Sequence, residues 1–112
     1  MSKQNELQPP LTETIFYILL ALTKPLHGYG IIQEVEKLTN GRIQLGPGTL
    51  YGAIKSLLSK EVIELVHEDK QLRRKDYELT SKGWVLLEKE LERLEELLQN
   101  GKAILRGGKS NG

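Results

Sequence analysis

Two stretches carry side chains suited to holding an anionic partner. From Lys70 to Lys75, "KQLRRK" sets four bases, Lys70, Arg73, Arg74 and Lys75, among six residues. From Gln44 to Lys60, "QLGPGTLYGAIKSLLSK" mixes glycines, hydroxyl side chains and lysines, with Gly48, Thr49, Tyr51 and Lys55 falling outside the apolar positions. Thr49 and Tyr51 offer hydroxyl donors, and Lys55 lies one helical turn beyond Tyr51. Small residues in a first helical turn allow a backbone to approach a partner closely, and free N–H groups there attract phosphate. Hydroxyls and lysines are the side chains that bind phosphate oxygens and base edges, and each phosphate neutralised adds a salt-sensitive increment of affinity.

Neither stretch is decisive alone, because a basic loop is commonly just solvated and glycines at a helix start can simply mark a turn. Their context adds weight. The formal net charge of the 112 residues is only +1, but the charge is unevenly spread. Between Trp84 and Leu98, five acids stand against two bases. A basic end and an acidic arm suit a nucleic-acid reader whose assembly surface lies elsewhere.

The elements that position these residues follow from periodicity. Thr12 caps a first helix that is apolar nearly all round, from Ile15 and Phe16 to Leu22, and Lys24-Pro25 should end it. A second helix begins near His27 or Gly28, buries Ile31, Ile32, Val35 and Leu38, and stops at Asn40-Gly41. The third opens at Pro47 and turns Leu50, Ile54, Leu57 and Leu58 inward. After Glu61 the period becomes two: Ile63, Leu65 and His67 share one side of a strand, and Tyr77 and Leu79 one side of the next. The basic stretch between them forms the tip of a hairpin, expected to be long and mobile because no Asn-Gly or Asp-Gly marks a tight turn.

Thr80 or Ser81 caps a last helix, and Asn100-Gly101 should end it. Trp84, Leu87, Leu91, Leu94 and Leu98 are spaced 3, 4, 3, 4, a heptad seam. The seam either packs on its own domain or meets the same helix of a second copy, and the seam's length and acidic flanks favour a homodimer. Three helices, a hairpin and a long helix predict a mainly α fold with a small β-hairpin: a winged helix-turn-helix plus a C-terminal dimerisation helix. The expected organisation is a disordered tail over 1–8, the DNA-binding domain over 9–82, the dimerisation helix over 83–101 and a flexible tail over 102–112.

Other classes find little support. Cysteine is absent, which removes disulfides and Cys-ligated zinc. No apolar run approaches the length of a membrane helix, and the polar start "MSKQNELQPP" does not resemble a signal peptide, so the expected location is cytoplasmic. His27 and His67, the two histidines, lack ligand spacing, and no nucleophile or phosphate-loop motif is present. No enzyme activity, metal or cofactor is expected.

Taken in order, "LHGYGI", "GPGTLYGAIKSLL" and "RRKDYELTSKG" resemble the PadR family of bacterial transcriptional regulators, over about residues 11–83. The short chain after the wing resembles the branch with a single C-terminal helix. The resemblance implies a homodimeric repressor on a dyad-symmetric operator in double-stranded DNA. It places Thr49, Leu50 and Tyr51 in the "GTLY" signature of the reading helix, Lys55 at its basic position, and Arg73, Arg74 and Lys75 at the start of the second wing strand. It also gives Tyr29 a phosphate contact at the entrance to the second helix. Some members bind a small aromatic effector near the dimer interface, which makes Phe16 and Trp84 candidate effector contacts. The alternative is a winged-helix module that dimerises and binds protein rather than DNA. Two positions depart from the family pattern: Gly46 stands where Ser or Thr is common, and Glu61 where Gly is common.

Overall fold

The computed structural model describes residues 6–107. Helix α1 spans Glu13–Ala21, β1 Leu26–His27, α2 Gly28–Leu38, α3 Pro47–Ser59, β2 Ile63–Asp69, β3 Arg74–Leu79 and α4 Ser81–Lys102, with a π-helical turn over Ala103–Gly107. The order is helix, helix, helix, hairpin, long helix, as the periodicity predicts. One strand was not legible: β1, two residues long, pairs with β3, so the sheet has three antiparallel strands in the order β1-β3-β2.

The core forms where the helical wheels point inward. Ile18 and Leu19 of α1, Leu22 at its end, Ile31 and Val35 of α2, and Leu50, Ile54 and Leu57 of α3 are enclosed together, with Val62, Ile63, Tyr77 and Leu79 closing the sheet side. Burial of this apolar surface is the main driving term for so short a chain. The buried stripe of α2 is shorter than expected, because Leu38 lies exposed at the helix end.

Helix ends follow local chemistry. The Thr12 hydroxyl accepts the Ile15 amide at 3.2 Å, and the Thr80 hydroxyl accepts the Gly83 amide at 3.1 Å. Helix α1 ends at Ala21, three residues before Lys24. Asn40 takes φ 52° and Gly41 φ 81°, and their amides bond back to Lys37 and Glu36 carbonyls at 3.2 and 2.8 Å. Helix α3 ends the same way, with Glu61 at φ 63° and the Glu61 and Val62 amides bonding to Leu58 and Leu57 carbonyls at 3.0 and 3.2 Å. This is the left-handed cap that glycine normally fills, so Glu61 holds a strained backbone there.

The turn after α3 is also the seat of α4. The Val62 carbonyl accepts the Thr80 amide at 3.1 Å, and Gly83 lies so close to that carbonyl that a Cβ has no room. Helix α4 does not stop at Asn100-Gly101. It continues through Asn100 and Gly101 to Lys102, with the Ala103 amide bonding back to the Asn100 and Gln99 carbonyls, and "AIL" extends it as one π-helical turn. At the other end of the chain, Leu7 packs against the core rather than lying loose. The remaining tail positions, 1–5 and 108–112, lie outside the described residues.

Candidate nucleic-acid interface

Helix α3 presents two faces. Leu50, Ile54 and Leu57 are buried, whereas Gly48, Thr49, Tyr51, Gly52, Lys55 and Ser56 are exposed. Leu50 is 0% exposed, so its side chain belongs to the core and cannot reach a groove. It sits one residue from Thr49 and Tyr51 but about 100° around the helix, which turns it inward.

Tyr51 connects α3 to α2. Its ring lies over Gly28, the first residue of α2, where an added Cβ would come within 2.7 Å of the ring carbon Cζ. Tyr29 stands beside it, 62% exposed. Both line a cleft of about 440 Å³ whose other wall is the wing: Glu68, Lys70, Leu72, Arg73, Arg74, Lys75 and Tyr77, with His27 at the base. The fold thus brings Tyr29, Tyr51, Arg73, Arg74 and Lys75 to one concave surface, joined by Lys70. Four cations there face one acid, Glu68, so the cleft favours an anionic partner. Gly48, Thr49 and Lys55 do not line the cleft. Lys55 lies one turn beyond Tyr51 along α3, on the same outer face.

The wing is more shaped than its sequence suggests. Leu65 pairs with Tyr77 and His67 with Asp76, so Val66 is an extra residue that breaks the alternation of β2. Such a bulge bends a strand and increases its twist. Only the base of β2 keeps the expected pattern, with Ile63 buried and Leu65 and His67 exposed. At the tip, Asp69 Oδ1 accepts the Leu72 amide at 3.0 Å and Arg73 takes φ 53°, a defined turn without Asn-Gly. The Arg74 guanidinium lies 3.4 Å from Asp76 Oδ1, an ion pair on the same strand. Burial pushes the Tyr77 hydroxyl above the ordinary tyrosine value, with Tyr51 and Glu68 adding to the effect.

Helix α4 divides the predicted seam. Gly83, Leu86, Leu87 and Glu90 face the protein's own core. Leu87 is therefore a core residue of its own protomer, because the 3.6-residue period carries it to the inner face with Gly83 and Glu90. Trp84, Leu91, Leu94 and Leu98 are exposed, joined by Val85 and Leu97. Glu90, 1% exposed, was not legible as an inward residue. Its carboxylate accepts two hydrogen bonds from Arg93, at 2.7 and 2.9 Å, and one from the Leu11 amide at 3.1 Å. The Arg93 guanidinium holds its pKa below the ordinary carboxylate value.

Phe16 makes an edge contact with Tyr17 at 5.6 Å between ring centroids. It lines a small pocket with Leu11, Glu13, Tyr17, Glu90, Arg93 and Leu94. Trp84 does not line that pocket, so within one protomer the two candidate effector contacts are not brought together. Among the described residues, no cluster of acids and histidines could hold a metal ion, and no helix is long and apolar enough to cross a membrane.

Comparison with known proteins agrees with this architecture. A PadR-like regulator of Bacteroides fragilis is 31% identical, superposes with a TM-score of 0.66, and covers 81% of this chain and 88% of its own. A transcriptional regulator of Clostridium thermocellum has the same fold, with a TM-score of 0.68 at 19% identity, covering 84% of this chain and 93% of its own. An uncharacterised protein of Lysinibacillus sphaericus is 42% identical over 50 residues, which are 45% of this chain. The chain spans less than half the length of the curated relatives it matches, 46% of that protein and 16% of a transposon-encoded one from Streptomyces fradiae. The model of the transcriptional regulator PadR-like family matches residues 17–89, well over half of the chain, and the protein belongs to that family.

Proposed function

We propose that the protein is a sequence-specific DNA-binding regulator, a repressor that grips a dyad-symmetric operator as a homodimer. One observation carries the reading: Tyr29, Tyr51 and the wing cations Lys70, Arg73, Arg74 and Lys75 line one open cleft beside the outer face of α3. As a member of a regulator family the chain is not an enzyme. Helix α3 enters a major groove, with Gly48 and Thr49 at its leading turn, and Tyr51 and Lys55 along its flank. Arg73, Arg74 and Lys75 hold the flanking backbone, and Tyr29 donates to a phosphate at the start of α2.

In this reading residues 9–82 form the DNA-binding domain and 83–101 the dimerisation helix. Trp84, Leu91, Leu94 and Leu98 make an apolar surface that a monomer leaves in water and that a second α4 covers. A twofold pair sets two α3 helices about 34 Å apart, one DNA turn, as a palindromic site requires. A small aromatic effector fits the same account where the Phe16 pocket, with the Arg93 guanidinium, meets that interface.

The experiment is a mobility shift on the adjoining promoter region, with sedimentation of the free protein. Leu91→Asp is expected to sediment as a monomer and to lose the shift while keeping its helical spectrum. A Leu91→Asp dimer with full operator affinity contradicts the assembly. Loss of dimerisation without loss of DNA binding contradicts the dyad.

A further inference from the structure

Leu72 is the feature the reading above leaves unused. It is 68% exposed, at the tip of the wing, with Lys70 two residues before it and Arg73 directly after it. A lone exposed leucine is ordinary on a protein surface. This one is placed where a purely electrostatic contact has no use for hydrocarbon, between cations and at the mouth of the cleft lined by Tyr29 and Tyr51.

We propose that Leu72 is an apolar wedge that enters the minor groove flanking the α3 site and partly unstacks one base step. The inference rests on the DNA-binding reading and goes beyond it. Phosphates offer an aliphatic side chain nothing, whereas the exposed face of an opened base step does. With α3 in a major groove, the neighbouring groove met by the wing is the minor one, whose bordering phosphates suit Arg73. The tip is fixed before DNA arrives: the Asp69 carboxylate holds the Leu72 amide at 3.0 Å, and Arg73 turns the chain at φ 53°. A preset tip loses little entropy on insertion. Asp69 and Glu68 are the acids nearby. Asp69 stands across the hairpin from Arg74, and Glu68 across from Lys75, so each lies beside a cation. Pyrimidine–purine steps unstack most easily, which makes Leu72 a source of specificity at a base pair that no polar side chain reads.

The test begins with duplexes enriched from a random pool by the full-length protein. In the best duplex, 2-aminopurine replaces a base at successive flanking positions. Wild type is expected to raise its fluorescence at one pyrimidine–purine step, and Leu72→Met to do the same. Leu72→Ala is expected to lose the signal and about tenfold in affinity, with an unchanged slope of affinity against salt, because no cation is removed. Leu72 is largely exposed and lies outside the core cluster, so the variant keeps its fold. A bound duplex with no fluorescence response in wild type, or Leu72→Ala indistinguishable from wild type, overturns the wedge and leaves DNA binding standing. Failure to enrich any duplex overturns the DNA reading, and the wedge with it.

Discussion

The Tyr51 ring rests on Gly28, and no side chain larger than hydrogen fits beneath it. This contact joins the reading helix to the start of α2 and fixes the wall of the cleft that faces the wing cations. Gly28→Ala is therefore expected to displace the half-exposed Tyr51 while leaving the core intact. Stability should change by less than about 1 kcal/mol, since alanine favours helix and the obstructing group is the far end of a mobile side chain. Operator affinity should fall about tenfold, and Tyr51→Ala should lower it similarly. In a double-mutant cycle the two losses should not add, because both remove the same ring position. Additive losses, or an unaffected Gly28→Ala, count against Tyr51 as a contact held from α2.

Glu61 occupies the left-handed cap after α3. Its side chain is exposed, and the capping bonds run through backbone atoms. Glu61→Gly should relieve the strain without removing a contact and raise stability by about 1 kcal/mol. Urea denaturation measures this directly; a lower midpoint for the variant shows that the Glu61 side chain stabilises the fold in some other way.

The Glu90–Arg93 pair gives the fold a pH dependence. Its pKa is lowered in the folded protein, chiefly by Arg93. The stabilisation is present above the unfolded carboxylate value and is lost as pH falls through the lower folded value. Glu90→Gln should cost about 2 kcal/mol near pH 7, less than a fully enclosed pair because Arg93 is partly exposed. The gap between wild type and variant should narrow below about pH 4.5 and nearly close further down. Glu13, also lowered by its partner Arg42, shifts both proteins alike and cancels in the comparison. A gap that stays constant with pH means that Glu90 acts through packing alone.

Much of this was legible in the sequence. The 3.6-residue stripe of α3, the Thr12 and Thr80 caps and the Asn40-Gly41 stop are local signals, and each appears in the structure. What was missed depends on residues distant in the chain. The two-residue strand β1 exists only because β3 is there to pair with it. The Tyr51–Gly28 contact joins residues in different helices, so neither flanking pattern announces it. Glu90 looks like one more surface acid until Arg93 and the Leu11 amide are seen to close around it. Leu87 and Leu91 read alike in a heptad, and only the position of Val62 beneath Gly83 shows which face of α4 turns inward. Leu50 carries the motif of the resemblance, yet burial removes it from the binding surface.

If the cleft cations grip phosphate, binding must weaken with salt in proportion to the phosphates they neutralise. Affinity for an enriched duplex is measured between about 50 and 200 mM salt for wild type, Arg73→Ala and Arg74→Ala. Wild type should lose affinity steeply, with about 0.9 in the log–log slope for each phosphate neutralised, and each arginine variant should flatten the slope by about one phosphate's share. Binding that is absent at low salt, or a slope unchanged in both variants, contradicts it.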